Sequence, residues 1–448
     1  MDIGIIVDSP QRDLKGHAYL GSQIIKDNKV FLIPVYDQQY AINNLNLDII
    51  IFNYLRPNNF WLIALAKSKK IKVVIVDTEG ARGKNLDTEA KFVAKSIINL
   101  DVDLYFSWSD KVRDKILENS SNLKNKVITS GCHRFYLYSP KFKYEKIEKK
   151  YILINTRFPK ANPKFAKVEL STLTEAGFFE YKEAVDYLNK EKKVLNNFLI
   201  TVKKIIENFK EESFIIRPHP FENANIYKNY FKNNKNVKIE QSEDIIDVIK
   251  SCKLMIHLNC QTCFEAYLFN VNSIELEFLN SKVLKALDAS KISYQAESYE
   301  DAIKKITEKI NINLLEKDEL DFNKKVNKIS ENFGPINQSV EIIKKNLLTI
   351  NLSNEYFNKS KYTSFISYSN LFRYKIKTII PHYFVLQIIK IFKKKNWVNR
   401  IEKSLNKKYV DNFYNSNNIN NINSEYSDKY FNNQIFNKTY NIICLFEK

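Results

Sequence analysis

Between residues 214 and 266 two short apolar runs each deliver a cluster of polar side chains. Phe214-Ile215-Ile216 leads into Arg217-Pro218-His219-Pro220, and Leu254-Met255-Ile256-His257-Leu258 leads into Asn259-Cys260-Gln261-Thr262. Proline fixes φ and keeps the first segment extended, so Arg217 and His219 project beyond the end of a strand. A guanidinium fork and an imidazole N–H are donors suited to a nucleotide phosphate. The same two residues could instead cap a helix and form a structural ion pair. Asn259, Gln261 and Thr262 stand between a strand and a helix, where free backbone N–H groups favour an anion. Thr262 equally fits an N-cap, and its spacing to Glu265 fits a capping box. Pro220, Glu222 and Glu265 complete the candidate donor-binding set.

A reacting group is expected elsewhere. Asp77-Thr78-Glu79-Gly80 ends an apolar run, with Gly80 read as permitting a tight turn. A carboxylate there, Glu79 with Asp77 beside it, could take a proton from an attacking hydroxyl, an effect worth about 10²–10⁴-fold in rate; the plain alternative is a solvated turn. Asp8, Arg12 and His17 follow the first apolar run, and Asn155 and Arg157 follow another; these are candidates to line a cleft and touch an acceptor, with caps and surface ion pairs as the alternative. Cys260 and Cys263 are spaced as in thiol redox motifs, but no second pair completes a four-cysteine zinc site, so two small packed cysteines are the expectation. No metal-ligand cluster is visible, and the expected reaction needs no metal or cofactor beyond its nucleotide-bearing substrate.

The elements that must position these residues alternate. Apolar runs at 3–7, 30–35, 48–52, 73–76, 104–107 and 127–130 read as buried parallel strands, with helices expected near 16–26, 60–68 and 110–118 and a long variable stretch after residue 80. After a basic linker at 141–150 a second set of strands is expected at 151–154, 214–216, 237–240, 254–258 and 273–276. A mostly helical insertion at 160–193 is expected within it, with helices at 195–209, 242–251 and 299–310 and one starting near Thr262. Such alternation means parallel sheets with functional groups at the strands' carboxyl ends. The expected fold is α/β, with two facing Rossmann-like domains at 1–140 (acceptor side) and 141–350 (nucleotide side). A basic extension at 351–448 follows, whose Asn-rich part, 411–441, reads as poorly ordered.

Charge narrows the partners. The chain of 448 residues carries a formal +19, of which residues 371–410 supply eleven Lys or Arg against the single acid Glu402. More than half of the excess thus lies in under a tenth of the chain, which speaks against nucleic acid as the main body's partner; no nucleic-acid-binding motif is visible either. Within 371–405 an apolar run, 383–389, is followed by Lys393-Lys394-Lys395 and Trp397, the pattern of a helix lying on an anionic membrane surface. No run of about 18 apolar residues could span a bilayer. The five cysteines form no regular framework, and no secretion signal is visible at the start, so a cytoplasmic location, peripheral on the inner membrane face, is expected.

With these motifs in hand, the chain resembles bacterial surface-carbohydrate biosynthesis proteins of GT-B glycosyltransferase fold across roughly residues 1–345. Arg12-Asp13-Leu14, 103–108, Thr129-Ser130-Gly131 and Ile154-Asn155-Thr156 add to the likeness. An acidic-Gly motif, a His-Pro motif and a downstream Ser/Thr motif also resemble the transferases of CMP-activated sugars, the sialyl and Kdo types. The resemblance implies Glu79 as general base, His219 on the CMP phosphate and Thr262 in the Ser/Thr element. The chain departs from that pattern in having Thr78 between Asp77 and Glu79, and Gln261-Thr262 in place of paired hydroxyls. The implied activity is transfer of a sugar from a CMP-linked donor to a glycan or lipid-linked acceptor of lipopolysaccharide or capsule. Arg-Pro-His-Pro also looks like the glycerophosphotransferases that use CDP-glycerol. A nucleotide-sugar epimerase and a non-catalytic nucleotide- or glycan-binding scaffold are the remaining alternatives.

Overall fold

A computed structural model of the protein describes residues 1–80, 86–142, 148–164, 174, 180–280, 289, 291–310, 319–352, 432–437 and 442–446. The chain divides into two α/β units, Met1–Leu137 with Lys328–Lys448, and Tyr138–Asn327. Where a boundary near 350 is expected from sequence, the chain therefore returns to the first unit by residue 328: Phe333 stacks against Trp108 and Phe135 in its core.

The first unit is built on β1 (Asp2–Val7), β2 (Lys29–Pro34), β3 (Ile49–Phe52), β4 (Lys72–Val76), β5 (Leu104–Ser107) and β6 (Val127–Thr129), which run parallel in the order β2-β1-β3-β4-β5-β6. These runs are rich in Ile and Val, whose branched side chains suit a strand covered on both faces. The covering helices are α1 (Lys15–Ile24), α2 (Gln38–Asn44), α3 (Phe60–Ser68), α4 (Leu86–Leu100) and α5 (Asp110–Asn119). The stretch after residue 80, read as variable, thus contains a four-turn helix whose Ala90, Val93, Ala94 and Ile97 are buried in the core.

The second unit holds β7 (Tyr151–Asn155), β8 (Phe214–Arg217), β9 (Val237–Ile239), β10 (Cys252–His257), β11 (Ser273–Glu275) and β12 (Tyr294–Gln295), all parallel, in the order β12-β11-β10-β7-β8-β9. Its helices are α6 (Tyr181–Asn208), α7 (Asn225–Tyr230), α8 (Ile245–Lys250), α9 (Thr262–Leu268) and α10 (Tyr299–Lys309); α11 (Glu319–Phe333) leads back to the first unit, to which α12 (Ser339–Leu348) belongs. The expected break between an insertion and a helix at 195 is absent: α6 is continuous for 28 residues, started by a capping box between Glu180 and Glu183. The fold is α/β with parallel sheets in two Rossmann-like units, a GT-B-like composition.

The expectation of a poorly ordered tail is corrected at its end. Asn432–Asn437 forms β13 and Ile442–Phe446 forms β14, an antiparallel pair whose second strand adds antiparallel to β2. Ile442, Ile443 and Leu445 are buried, because they cover the open edge beside Val30 and Phe31 that β2 would otherwise present. The basic amphipathic stretch 371–405 lies outside the described residues, as does most of 411–441. Among the described residues no helix is long and apolar enough to cross a membrane.

Candidate functional site

In an open parallel sheet, loops diverge where the strand order reverses, and ligands bind at that point beyond the carboxyl ends. In the first unit it lies between β1 and β3, and Asp8 and Arg12 follow the first of these strands. A short helical turn after β1, Pro10–Leu14, carries Arg12. Its guanidinium donates to both oxygens of buried Asp13 at 2.7 and 2.8 Å, to Asp8 Oδ2 at 3.4 Å and to Glu79 Oε1 at 2.9 Å. The second oxygen of Glu79 accepts from Arg56, on the loop after β3. Sequence reasoning missed Arg56; its place four residues after β3, before Pro57, was the available signal.

Burial would raise the Glu79 carboxyl, but Arg56 and Arg12 outweigh it and hold the group well below the usual carboxylate range. Glu79 is ionised and doubly paired, which makes it a weak base. Asp8 is different: burial, helped by the negative charge of Asp13 and Glu79 and opposed by Arg12, lifts it from 3.8 to about 6. Asp77 is internal to the turn, accepting from Glu79 N at 2.9 Å and from Tyr105 Oη at 2.8 Å. Gly80 is required for a reason other than a positive φ, since a Cβ there would lie 2.6 Å from the Trp108 ring. His17 meets neither Asp8 nor Glu79; its Nδ1 pairs with His133 Nε2 at 3.0 Å, and burial lowers it to about 4.

In the second unit the reversal lies between β7 and β10. Here the last residue of five strands is polar and in register: Arg217 opposite Asn155, Asn155 opposite His257, His257 opposite Glu275, Glu275 opposite Gln295. The first four are buried and form a polar row across the sheet beneath its carboxyl-end loops. Glu275 and Gln295 were not anticipated; Gln295 ends a strand of only two residues. Atoms of the row, among them Arg217 Nε, Asn155 Oδ1 and Gln295 Oε1, are buried with no hydrogen-bond partner, and Nε2 of neighbouring Gln261 is in the same condition. Such atoms are costly in isolation and indicate a polar group supplied from outside the chain.

The loops above the row are braced internally. Glu222, anticipated as a ligand contact, is fully buried: it accepts from Thr156 Oγ1 at 2.7 Å, from the backbone of Phe158 at 2.8 Å and of His219 at 3.2 Å, and from Tyr227 Oη. It ties the loop after β7 to the loop after β8, and Pro220 lies in the turn so fixed. Nδ1 of His219 accepts from Phe221 N at 3.2 Å, which leaves the proton on Nε2 and makes that atom a donor. Arg217 donates to the Glu243 carbonyl at 2.8 Å, with Glu265 of α9 within electrostatic reach. Arg157 donates to Asn259 Oδ1 at 3.0 Å, and Asn259 takes a left-handed φ of 46°. The Thr262 to Glu265 capping box does not form: Gln261 stands at the N-cap with no side-chain cap, and α9 is only seven residues long. Beside Arg157, Glu191 of α6 is buried and raised to about 7 by burial; sequence reasoning missed it because it sits mid-helix among charged residues. Among the described residues no group of His, Cys, Asp or Glu could hold a metal ion.

No protein-family model and no curated protein sequence matches the chain. Solved structures similar to it include UDP-GlcNAc 2-epimerase from Neisseria meningitidis, at 13% identity over 78% of this chain and 100% of that one, TM-score 0.47. The Methanocaldococcus jannaschii enzyme of that description matches at 15% identity over 78% and 99%, TM-score 0.47. UDP-N-acetylglucosamine 2-epimerase from Rickettsia bellii matches at 13% over 78% and 94%, TM-score 0.44. The expected glycosyltransferase is corrected here: the structures the chain resembles are described as epimerases.

Proposed function

We propose that the chain is a nucleotide-sugar epimerase, changing the configuration of the sugar while it remains on its nucleotide. One observation carries this reading: in each unit the candidate polar residues converge where the strand order reverses, the place at which open α/β sheets take nucleotides and their appendages. In the second unit, His219 Nε2 and the unpartnered Arg217 Nε and Gln261 Nε2 supply donors for a nucleotide, while Asn155 Oδ1 supplies an acceptor. In the first unit, Asp8 and Glu79 are two carboxyls whose surroundings push them in opposite directions. That separation assigns roles: Asp8 exchanges a proton near neutral pH, and Glu79 stays charged.

UDP-linked sugars are the first probes. Proton NMR of the full chain with UDP-linked sugars, UDP-GlcNAc and UDP-glucuronate among them, should show for the substrate a second set of anomeric signals that grows to an equilibrium ratio. Asp8→Asn should slow its appearance by about 10²–10⁴-fold, the range of lost acid–base catalysis, without weakening nucleotide binding. A binding protein without turnover is the second reading, favoured by the double ion pair on Glu79. Nucleotide-dependent thermal stabilisation with no change in the sugar signals across UDP-, CMP-, CDP- and GDP-linked donors would select it. Attachment to an anionic leaflet through 371–405 belongs to the same reading on charge alone, and flotation with anionic vesicles, comparing chains with and without 351–448, tests it.

A further inference from the structure

Glu79 occupies the position of a ligand. Its two oxygens are each taken by a different guanidinium, Arg12 on the turn after β1 and Arg56 on the loop after β3, so that two independent elements converge on one carboxylate. The three side chains are neither sealed in nor free: Arg12 is 25% exposed, Glu79 33% and Arg56 36%. An anion from solvent can therefore reach the arginines, and the displaced carboxylate can be rehydrated.

Charge selects the kind of anion. Among the described residues the charged groups around the position are Arg12, Arg56 and Arg134, which donates to the Thr78 carbonyl at 2.7 Å, against Asp8, Asp13 and Asp77. Without Glu79 the set is neutral with Asp8 ionised and carries one positive charge with Asp8 protonated. It can take one negative charge in place of Glu79; a phosphate dianion would leave an excess negative charge half out of water. A carboxylate is moreover isosteric with the group it replaces, and two guanidinium groups bind its two oxygens directionally.

We infer that the Arg12–Arg56 pair is a carboxylate-binding site closed by Glu79, and that the first unit's ligand is an acidic sugar whose carboxylate displaces it. This deepens the nucleotide-sugar reading by naming the substrate class, but binding at this site does not require turnover, so each can fail alone. Calorimetric titration of the full chain with D-glucuronate, D-glucose and inorganic phosphate tests it. Expected is saturable binding of glucuronate to the wild-type chain and none of glucose. Glu79→Ala should bind glucuronate at least tenfold tighter, because the internal competitor is gone, and Arg56→Ala should lose the binding. Arg56→Lys, which keeps the charge and loses the fork, should weaken it severalfold and serves if the alanine variant does not fold. Absence of glucuronate binding to the wild type, an equal affinity for glucose, a tighter affinity for phosphate, or an unchanged affinity in Glu79→Ala would each overturn the inference.

Discussion

Glu79 and Asp8 show how two carboxyls that share the Arg12 guanidinium acquire opposite properties. Glu79 is depressed below its ordinary 4.5, so the stability it contributes is present above that value and is lost as pH falls through the folded-state pKa. The difference in thermal midpoint between the wild type and Glu79→Gln should therefore be largest near neutral pH and should shrink as pH drops below about 4; a constant difference down to pH 3 would contradict the ion pairs. Asp8 is raised from 3.8 to about 6, so the folded state holds its proton more tightly and loses stability as pH rises between those values. Asp8→Asn should accordingly melt higher than wild type at pH 7 and at the same temperature at pH 3, while its chemistry is lost. Gly80 makes a steric prediction: Gly80→Ala drives a methyl group into the Trp108 ring and should cost about 1–3 kcal/mol in urea denaturation, as overpacking does.

At the scale of elements, β14 is where packing outweighs local pattern. Leu445 is fully buried and touches the position where Gly21 lacks a side chain, the two being complementary. Leu445→Ala should destabilise the first unit by about 2–5 kcal/mol, the range for a large-to-small change in a core, measurable through the fluorescence of Trp61 and Trp108. The parallel strands were legible in sequence because burial on both faces demands continuous apolar runs, and Ile49–Phe52 or Phe214–Arg217 can be nothing else. β14 was not, because its run of five follows a long Asn-rich stretch and its partner β2 lies some four hundred residues earlier. The helix Leu86–Leu100 was hidden for a different reason: its apolar face alternates with Asp, Glu and Lys. For the candidate site, strand ends singled out Asn155, Arg217, Glu79 and Asp8, since a polar residue after an apolar run is visible locally. What each does was not visible, because it depends on partners far away in sequence: Arg56 for Glu79, and Thr156 for Glu222.

For the molecule as a whole, the two proposed kinds of recognition fall in different units. The groups proposed to hold a nucleotide follow β7, β8 and β10 of the second unit, and the proposed carboxylate site follows β1, β3 and β4 of the first. Ligands specific for one should leave the other unit's amides unchanged when offered singly, which hydrogen exchange of the intact chain can resolve. A nucleotide alone should slow exchange at 155–158, 217–222 and 257–262, because loops braced by Glu222 lose their remaining freedom when the unpartnered donors are met. Glucuronate alone should alter exchange at 8–13, 53–56 and 77–80, where Glu79 must leave its arginines. Protection of the first set by glucuronate, or of the second by a free nucleotide, would show that the strand-end residues had been assigned to the wrong ligand. The distinction holds because the polar row of the second unit has unfilled donors and an unfilled acceptor in its buried face, whereas the arginines of the first unit are already occupied and can bind only by exchange.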